Sequence, residues 1–560
     1  MEFQRLILFL VFSMSLLFLW QEWQQWQRGP VAREAAAPAG GAGAPGAPGT
    51  VAPPDAQAPT VGQDLLRQQG VPEPPAAAPS AGSTFTIETD VLRAEISTVG
   101  GELTRLELLR HLSTVDKSKP LVLFERTGQR TYVAQGGLIG DGLPNHRTEF
   151  TPLPGPRKLE SGADELAVTL VARGQGGIVV EKIYTFRRGS YVVDVTFAVR
   201  NEGPAAITPF AYHQLVRDGE PPEGDPKLLH TYTGGAIYTD ADKFRKISFS
   251  DMEKQKTGLP KTANDGWIGI LQHYFVGALV PDGDVSREFF ARQLDKGLYS
   301  AGVIVPVGAI EPGAEKRVTT RLYAGPQEQD ALAKLAPGLD LVVDYGWLTV
   351  IAVPLFWVLQ QFYGLSGNWG VAIILLTVLV KAVFYPLSAA SYRSMAKMKA
   401  VTPRLQKIKE LYGHDRQKLH QAMMDLYKTE KINPLGGCLP ILVQIPVFIA
   451  LYWVLLASVE LRNAPFALWI NDLSVQDPYF VLPVVMGVTM WMQMKLNPTP
   501  PDPIQAKVMQ IMPFAFTIFF LFFPAGLVLY WLVNNILSIA QQWHITRSME
   551  RAAAAAHGKR

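Results

Sequence analysis

The segment from Asn368 to Pro386, NWGVAIILLTVLVKAVFYP, most constrains the fold, because it is an apolar stretch of helix length with one charge, Lys381. Crossing the hydrocarbon core of a bilayer takes roughly twenty apolar residues, and this segment reaches that length only with Lys381 inside it. A charged side chain there costs about 2.5 to 3.5 kcal/mol on insertion scales. Two interpretations stay open: Lys381 extends to the nearer headgroups, or it belongs to a polar site with Thr377, which faces the same way one helical turn earlier.

The apolar residues are unevenly distributed along the chain. It has 560 residues, of which 48% are hydrophobic and 18% charged, with a formal net charge of +3. Long apolar runs lie at the N-terminus and after Leu348, whereas the middle has the composition of a soluble domain, so we expect more than one folding unit. The single cysteine, Cys438, excludes an intramolecular disulfide, and the middle domain must be held by its own core.

Residues 1–28 are predicted to form an N-terminal transmembrane anchor. The apolar run from Leu6 to Trp20 is followed by the polar, tryptophan-rich QEWQQWQR, with no small-residue cleavage site close behind it. A signal peptide is the alternative. Residues 29–83 are dominated by Ala, Pro and Gly, which cannot bury enough apolar surface to order themselves, so they form a linker.

Residues 84–335 are predicted to form an antiparallel β-sandwich, which the count of spans below places outside the membrane. Short alternating runs are punctuated by Gly, Pro, Asn and Asp, as is typical of strands. The clearest runs are Thr84 to Thr89, Leu166 to Ala172, Ile178 to Phe186, Tyr191 to Val199 and Arg317 to Tyr323. The histidines are scattered without metal spacing. A sugar-binding site on such a sandwich would be an argument from fold analogy alone.

Residues 336–365 contain the apolar stretch from Leu348 to Leu359, which Pro354 interrupts. It is short for a membrane span and is flanked by tryptophan and tyrosine. We therefore expect a helix lying in the outer interface, with a broken span as the alternative.

Residues 391–431 form a strongly basic region that is predicted to be a cytoplasmic helical hairpin. Lysine and arginine far outnumber acidic residues, which places the region inside by the positive-inside rule. Thr402 and Pro403 look like an N-cap and first helical position, Gly413 like a C-cap and Asp415 like the next N-cap. The pair either only connects two spans or meets ribosomes, anionic headgroups or nascent chains.

The remaining apolar segments complete a prediction of six transmembrane helices, five of them in a core at residues 366–551. They are Leu435 to Leu456, Tyr479 to Met494, Val508 to Phe523 and Leu527 to Ile545. Counting outward from the basic hairpin puts both termini, with the basic tail at residues 552–560, in the cytoplasm. At 1.5 Å per residue, Lys381 then lies about 20 Å from the outer face, in the inner half of the membrane.

Polar side chains recur inside these spans, and each alone is typical of a helix-to-helix hydrogen bond. Together with Lys381 they are candidates for one wet cavity. No carboxylate lies in the five spans, which argues against a buried ion pair or an acidic proton relay. The polar span residues are Gln444, Thr489, Gln493, Thr517, Asn534 and Asn535.

Three stretches resemble the signatures of the YidC membrane-protein insertases of Gram-negative bacteria. They are NPLGGCLP at 433–440, APFALWI at 464–470 and FPAGLVLY at 523–530. The order and length of anchor, linker and β-domain are similar as well, so the resemblance covers nearly the whole chain. It implies an insertase rather than an enzyme, in which five spans surround a hydrophilic groove open to the cytosol and to lipid.

The resemblance also implies roles for individual residues. The single positive charge of the family's groove falls on Lys381, where many relatives carry arginine, and Trp531 stands where many have a second tyrosine. The candidates for lining the groove with Lys381 are Thr377, Gln444, Gln493, Trp531 and Asn534. The candidates for apolar guidance of the substrate are Ile441, Ile445, Phe448, Met512 and Phe516.

The partners expected on this basis are nascent membrane proteins, the Sec translocon, the lipid bilayer, and the ribosome or signal-recognition machinery through the hairpin and tail. We expect a location in the bacterial inner membrane. No cofactor, metal or specific nucleic acid is expected, and no GxxxxGK[ST] phosphate loop is present. Two alternatives remain: a small-anion transporter, which predicts an internal repeat that is not seen, and a membrane-anchored carbohydrate-binding envelope-assembly protein.

Overall fold

The computed structural model describes residues 82–222, 231–430, 439–496 and 503–557. The predicted anchor, all but the last two residues of the predicted linker, and the end of the basic tail lie outside these ranges. The chain divides into two compact units, one ending at Val342 and the other beginning at Val343. We describe each unit by itself.

The first unit is built from strands, numbered β1 to β17 in chain order, and two short helices. The strands are Thr84–Glu88, Leu92–Ser97, Leu103–Leu112, Pro120–Arg126, Thr131–Ile139, Thr151–Pro152, Glu165–Arg173, Ile178–Arg187, Val192–Asn201, Phe210–Asp218, Gly234–Tyr238, Arg245–Ile247, Trp267–Gln272, Phe275–Pro281, Glu288–Asp295, Leu298–Pro306 and Glu315–Pro326. The helices are α1, Phe249–Glu253, and α2, Gln329–Leu335.

These strands form two antiparallel sheets, as the alternating pattern predicts. The eight-stranded sheet has the order β1-β2-β3-β4-β5-β10-β16-β15, and the nine-stranded sheet the order β12-β11-β13-β14-β17-β9-β8-β7-β6. Each predicted run coincides with a strand to within a few residues, and Leu166 to Ala172, for example, lies inside β7. The β-sandwich is therefore confirmed.

The register of β8 on β9 shows how period-two alternation builds the core. Val180 pairs with Val199 and Tyr184 with Val195, and all four side chains belong to the apolar core. The intervening pairs carry polar groups on the other face of the sheet. One face of the strands is thus buried because the apolar residues recur at every second position.

A buried cation lies within this sandwich. Lys182 is fully buried, and its Nζ donates to the carbonyl oxygens of Gly100 at 3.0 Å and Gly136 at 3.3 Å. Burial lowers the pKa of Lys182 to about 7, although the carboxylate of Glu102 acts in the opposite direction. Burial also raises the pKa of Glu102, which accepts hydrogen bonds from Gln135 and Arg126. The sequence analysis did not identify this pair.

The second unit consists of eight helices within the described ranges, numbered α3 to α10. They are Thr349–Ser366, Trp369–Val383, Tyr385–Tyr412, Arg416–Thr429, Leu439–Ala457, Val481–Leu496, Pro503–Phe520 and Ala525–His557. Helix α10 packs against α4, α5, α7 and α8, so it lies at the centre of the unit.

Helix α3 is continuous through Pro354, which the sequence analysis treated as an interruption. With the 3-10 turn before it, the helical segment Gly346–Ser366 has 21 residues, and its length and composition suffice to cross a membrane. A proline near the start of a helix removes one backbone N–H without ending it. The placement of this helix in the interface stays a prediction.

Helices α4 and α5 form one apolar path with a bend of 66° at Phe384. Pro386 lies in the first turn of α5, where its missing N–H costs nothing. The described residues also contain three shorter apolar helical stretches, in α7, α8 and α9. The count of six spans stays a prediction.

The predicted helix start at Thr402 and Pro403 is wrong. Helix α5 runs unbroken from Tyr385 through Pro403 to Tyr412, and the hydroxyl of Thr402 donates to the carbonyl of Met398 instead of capping an N-terminus. Packing offsets the missing backbone hydrogen bond, because Val401 and Leu405 are buried against residues of α6.

The turn between α5 and α6 follows the prediction more closely. Gly413 is the C-cap residue of α5, although its backbone is right-handed rather than left-handed. Asp415 caps α6, because its Oδ1 accepts from the backbone N–H groups of Gln417 and Lys418 at 3.1 Å each. The two helices are packed together by a small apolar cluster that includes Met423 and Leu426.

Candidate functional site

The buried face of α4 carries the charge that the sequence analysis singled out. Asn368 caps this helix, since its Oδ1 accepts from the N–H of Val371 at 3.1 Å. Buried residues then recur at helical spacing, so that Lys381 continues an apolar stripe into the bundle rather than pointing away from it. These buried residues are Trp369, Gly370, Ala372, Ile373, Leu376, Thr377, Val380 and Lys381.

Lys381 meets a serine of the central helix. Its Nζ donates to Oγ of Ser538 in α10 at 2.7 Å, and only 6% of Lys381 and 4% of Ser538 are exposed. The Ser538 hydroxyl in turn donates to the backbone carbonyl of Asn534 at 2.7 Å. The ammonium is therefore held inside the bundle by α10, and the side chain does not extend toward the end of its own helix.

A second polar contact joins α7 to the same part of α10. Nε2 of Gln444 donates to Oδ1 of Asn534 at 2.9 Å. The backbone carbonyl of Asn534 also accepts the hydroxyl of Ser538. Hydrogen bonds therefore link side chains of α4, α7 and α10 through two consecutive turns of α10. Gln444 and Asn534 were both predicted to line the groove with Lys381, and the structure brings the three into one cluster.

Thr377 and Trp531 border this cluster in different ways. Thr377 lies one turn before Lys381 on the buried face, and its hydroxyl donates to the carbonyl of Ile373 at 2.7 Å. Trp531 packs edge-on against Phe448 with ring centroids 4.5 Å apart and lies 5.5 Å from the ring of Phe520. The indole N–H of Trp531 is buried and has no acceptor within the described part of the chain. Trp531 thus forms an aromatic wall with one unused donor.

Gln493 is not part of the cluster. It is half-buried in α8, and among the described residues it forms no hydrogen bond with Lys381, Gln444 or Asn534.

The residues predicted to guide a substrate by apolar contact fall into two groups. Ile445 is 41% exposed and Met512 is 42% exposed, whereas Phe448 and Phe516 are half-buried. The side chain of Ile441 lies outside the described residues.

Ser538 is the contact that the sequence analysis missed. Polar residues follow one face of α10 with spacings of three and four, a pattern that was visible in the sequence. Of these, only Trp531, Asn534 and Asn535 were singled out. The face comprises Trp531, Asn534, Asn535, Ser538, Gln541 and Gln542.

The opposite end of the bundle is closed by the segment between α7 and α8. Nδ2 of Asn368 donates to the carbonyl of Phe466 at 2.9 Å, and the N–H groups of Ala525 and Gly526 donate to this segment at 2.7 and 2.9 Å. Asp477, which is 1% exposed, accepts from the indole of Trp469 at 2.9 Å and from backbone N–H groups at the start of α8. The ends of α4 and α10 are therefore fixed here.

The site offers a held cation, amide groups and an aromatic wall. Within the described ranges, no group of three or more His, Cys, Asp or Glu side chains is placed to hold a metal ion. Chemically, the arrangement is suited to attract and hydrate a polar chain.

Two family models match the chain. The model of the YidC periplasmic domain matches residues 84–358, and the model of the 60Kd inner membrane protein matches residues 361–552. The proteins named membrane protein insertase YidC in Nitrosospira multiformis and Methylobacillus flagellatus are similar over the full length. The first is 57% identical over 99% of this chain and 98% of that protein, and the second 54% identical over 100% and 99%.

Two solved structures show weaker likeness. One is described as an active YidC insertase with the first transmembrane domain resolved, with a TM-score of 0.39 and 20% identity over 86% of this chain and 96% of that chain. The other is a galactose mutarotase related enzyme from Lactobacillus acidophilus, with a TM-score of 0.30 and 12% identity over 43% of this chain and 97% of that chain.

Apolar helices packed around a buried lysine lie on the same chain as a β-sandwich, and the match to the 60Kd inner membrane protein model makes this chain an inner membrane protein. The full-length identities specify the family further. The chain belongs to the YidC family of membrane protein insertases. It is a non-enzymatic insertase that handles nascent membrane proteins, as the resemblance implied.

Proposed function

We propose that this insertase carries short polar segments of nascent inner-membrane proteins through a wet groove beside Lys381 and releases their apolar helices into lipid. The single observation that supports this most strongly is the hydrogen bond from Lys381 to Ser538, at 6% exposure of the lysine. A lysine that only reached the headgroups would leave its ammonium in the interface, and no charge would be available inside the bundle.

The physical gain comes from shortening the hydrocarbon path. A polar segment that enters hydrocarbon loses several kcal/mol for each unsatisfied backbone group. Water and amides in an inner-leaflet groove would satisfy those groups for part of the way. Gln444 and Asn534, which are already hydrogen-bonded to each other, would line this groove with Thr377 and Trp531.

Lys381 would attract the acidic residues of a translocating tail. No carboxylate in the five predicted spans competes for it. A lysine acts as a point charge rather than a bidentate donor, so the interaction would tolerate many tail sequences. The membrane potential, negative inside, would add about 2.3 kcal/mol per acidic charge per 100 mV in the outward direction.

Release into lipid would use the apolar surface of α7 and α9. Ile445 and Met512 present exposed side chains there, next to which a substrate helix would find an apolar surface continuous with the lipid. Burial of apolar surface contributes roughly 25 cal/mol per Å² and would drive the substrate helix out of contact with the polar groove.

We also infer an orientation and a set of partners. The pair α5 and α6, rich in lysine and arginine, would lie in the cytoplasm with both termini, and the β-sandwich in the periplasm. Exposed basic residues such as Lys407 and Lys409 would serve contacts with the ribosome, the signal-recognition machinery or anionic lipid. The Sec translocon would be a further partner for larger clients.

The charge proposal is tested with purified full-length protein in liposomes under a membrane potential. Two short substrates are compared that differ only in their tails, one acidic and one with the acids changed to amides. Lys381→Ala should impair insertion of the acidic-tailed substrate several-fold and of the neutral one much less, and Lys381→Arg should restore it. Equal activity of all three proteins on the acidic substrate would defeat the proposal.

A deletion variant tests whether insertion depends on the β-sandwich. A chain lacking Gly100 to Ser300 but retaining the anchors should still insert a small phage coat-type substrate. Loss of insertion, with the helical unit still folded, would favour a protein in which the sandwich is the working part.

A further inference from the structure

We propose that Ser538 is a positioning residue for insertion, one that holds the Lys381 ammonium inside the groove and so determines how well acidic tails are captured. The inference rests on the proposed role of Lys381 and deepens it. It concerns a residue in the N-terminal half of α10, 157 residues away from Lys381 in sequence.

The first step is the orientation of the Ser538 hydroxyl. Its single proton is directed to the carbonyl of Asn534, four residues earlier in the same helix, at 2.7 Å. Serine hydroxyls in helices commonly make this bond. With the proton so directed, Oγ of Ser538 accepts from the Lys381 ammonium at 2.7 Å, and its other lone pair is left for the hydroxyl of Tyr392 in α5.

The second step is the alternative position open to Lys381. Its four-carbon stem is long, and the next helix, α5, begins beyond the bend only four residues later. Long cationic side chains near a span end extend toward headgroups whenever nothing holds them deeper. The Ser538 oxygen is a charge-assisted partner that opposes this movement.

The third step concerns the donors left for a substrate. An ammonium has three N–H groups, of which one is directed to Ser538. A serine is neutral, so it orients the cation without neutralising it, as a carboxylate would. The charge therefore stays available to an incoming acidic side chain.

The experiment compares Ser538→Ala, Ser538→Thr and wild type on the acidic-tailed and amide-tailed substrates. Ser538→Ala should lower insertion of the acidic-tailed substrate by about threefold, the change expected for one hydrogen bond between membrane helices, and by no more than Lys381→Ala does; the other substrate should change by less than about 1.5-fold. Ser538→Thr keeps the hydroxyl and should restore insertion. Ser388→Ala, which removes a similarly buried hydroxyl from α5, is the matched control and should behave as wild type.

A second readout follows the lysine itself. Modification of Lys381 by a membrane-impermeant amine reagent, quantified by peptide mapping, should rise several-fold in Ser538→Ala, because the ammonium would then reach the aqueous interface. Lys495 and Lys507 serve as internal references. Equal loss on both substrates would mean that Ser538 is only structural, and unchanged insertion and labelling would overturn the inference. If Lys381→Ala itself has no effect on the acidic substrate, it is the underlying charge proposal that fails.

Discussion

Gln444 in α7 and Asn534 in α10 are joined by a side-chain hydrogen bond of 2.9 Å, and the backbone of Asn534 accepts the hydroxyl of Ser538. Asn534 therefore accepts hydrogen bonds from two other residues, one through its side chain and one through its backbone carbonyl. The same turn of α10 fixes the position of α7 and, through Ser538, of Lys381 on α4. The same polar groups therefore position the helices and hold Lys381.

Gln444→Leu should weaken the attachment of α7 to α10. The loss in the free energy of unfolding should be about 1 kcal/mol, since hydrogen bonds between membrane helices are modest. Thermal unfolding of the detergent-solubilised protein measures it. Gln493→Leu, which alters a glutamine outside the cluster, should change stability by less than about 0.5 kcal/mol. Equal effects of the two changes would mean that the hydrogen bond contributes nothing specific.

Gly370→Ala should disturb the closed end of the bundle. A Cβ at this position would lie 2.0 Å from the ring of Phe466, so the segment between α7 and α8 must move. We expect a loss of about 1 to 3 kcal/mol, the range seen for overpacked cores. Gly364→Ala in α3 meets nothing within 4 Å and should raise stability, by about 0.5 to 1 kcal/mol. The thermal midpoints of the two variants should move in opposite directions.

Asp477→Ala should release the same segment from another side. Its carboxylate accepts the indole of Trp469 and two backbone N–H groups, all partly or fully buried. Leaving these donors unpaired should cost about 2 to 4 kcal/mol. Asp415→Ala removes an exposed N-cap of α6 and should cost only about 1 kcal/mol. The thermal midpoint of the detergent-solubilised protein should fall further in Asp477→Ala than in Asp415→Ala, and equal shifts would contradict the anchoring role.

The stability of the β-sandwich should depend on pH through Lys182. Because burial lowers the folded pKa of Lys182 to about 7 from an ordinary 10.5, the unfolded chain binds a proton between these values that the folded domain does not. Stability from this residue therefore rises with pH across that window and is lowest below about pH 7.

Lys182→Met should flatten this dependence. The thermal midpoint of the sandwich in the full-length protein, followed by near-ultraviolet circular dichroism from about pH 7 to 9.5, should rise less steeply than in wild type. Lys158→Met changes an exposed lysine paired with Glu88 and serves as the control. Parallel slopes for all three proteins would show that Lys182 carries no such linkage.

The sheets were predictable because their signal is local. In β7 and β8, apolar residues alternate with polar ones, and this period of two is set by the backbone itself. Asp415 was likewise recognisable as an N-cap, since its oxygen needs only the next turn of chain. The helix start predicted at Thr402 and Pro403 was wrong, because both residues also fit inside a long helix when Val401 and Leu405 pack against α6.

The candidate site was predictable only in part. Lys381, Gln444 and Asn534 stand out because charge and amides are expensive in an apolar span. Ser538 does not stand out, since a serine is common in helices and its importance comes from a partner in another span. Lys182 was missed although it shares the spacing of the buried Val180 and Tyr184 in β8. A lysine is expected on the solvated face, and the carbonyl groups that accept from it belong to segments distant in sequence.

The bend at Phe384 connects the long helix α5 directly to the site. Helix α5 begins four residues after Lys381 and departs at 66° from the direction of α4, and the same helix continues to Tyr412 at the turn into α6. Helix α5 has 28 residues, so its far end lies well away from the bend that joins it to α4. Docking of another molecule at its far tip would turn a large displacement there into a small rotation of the ammonium.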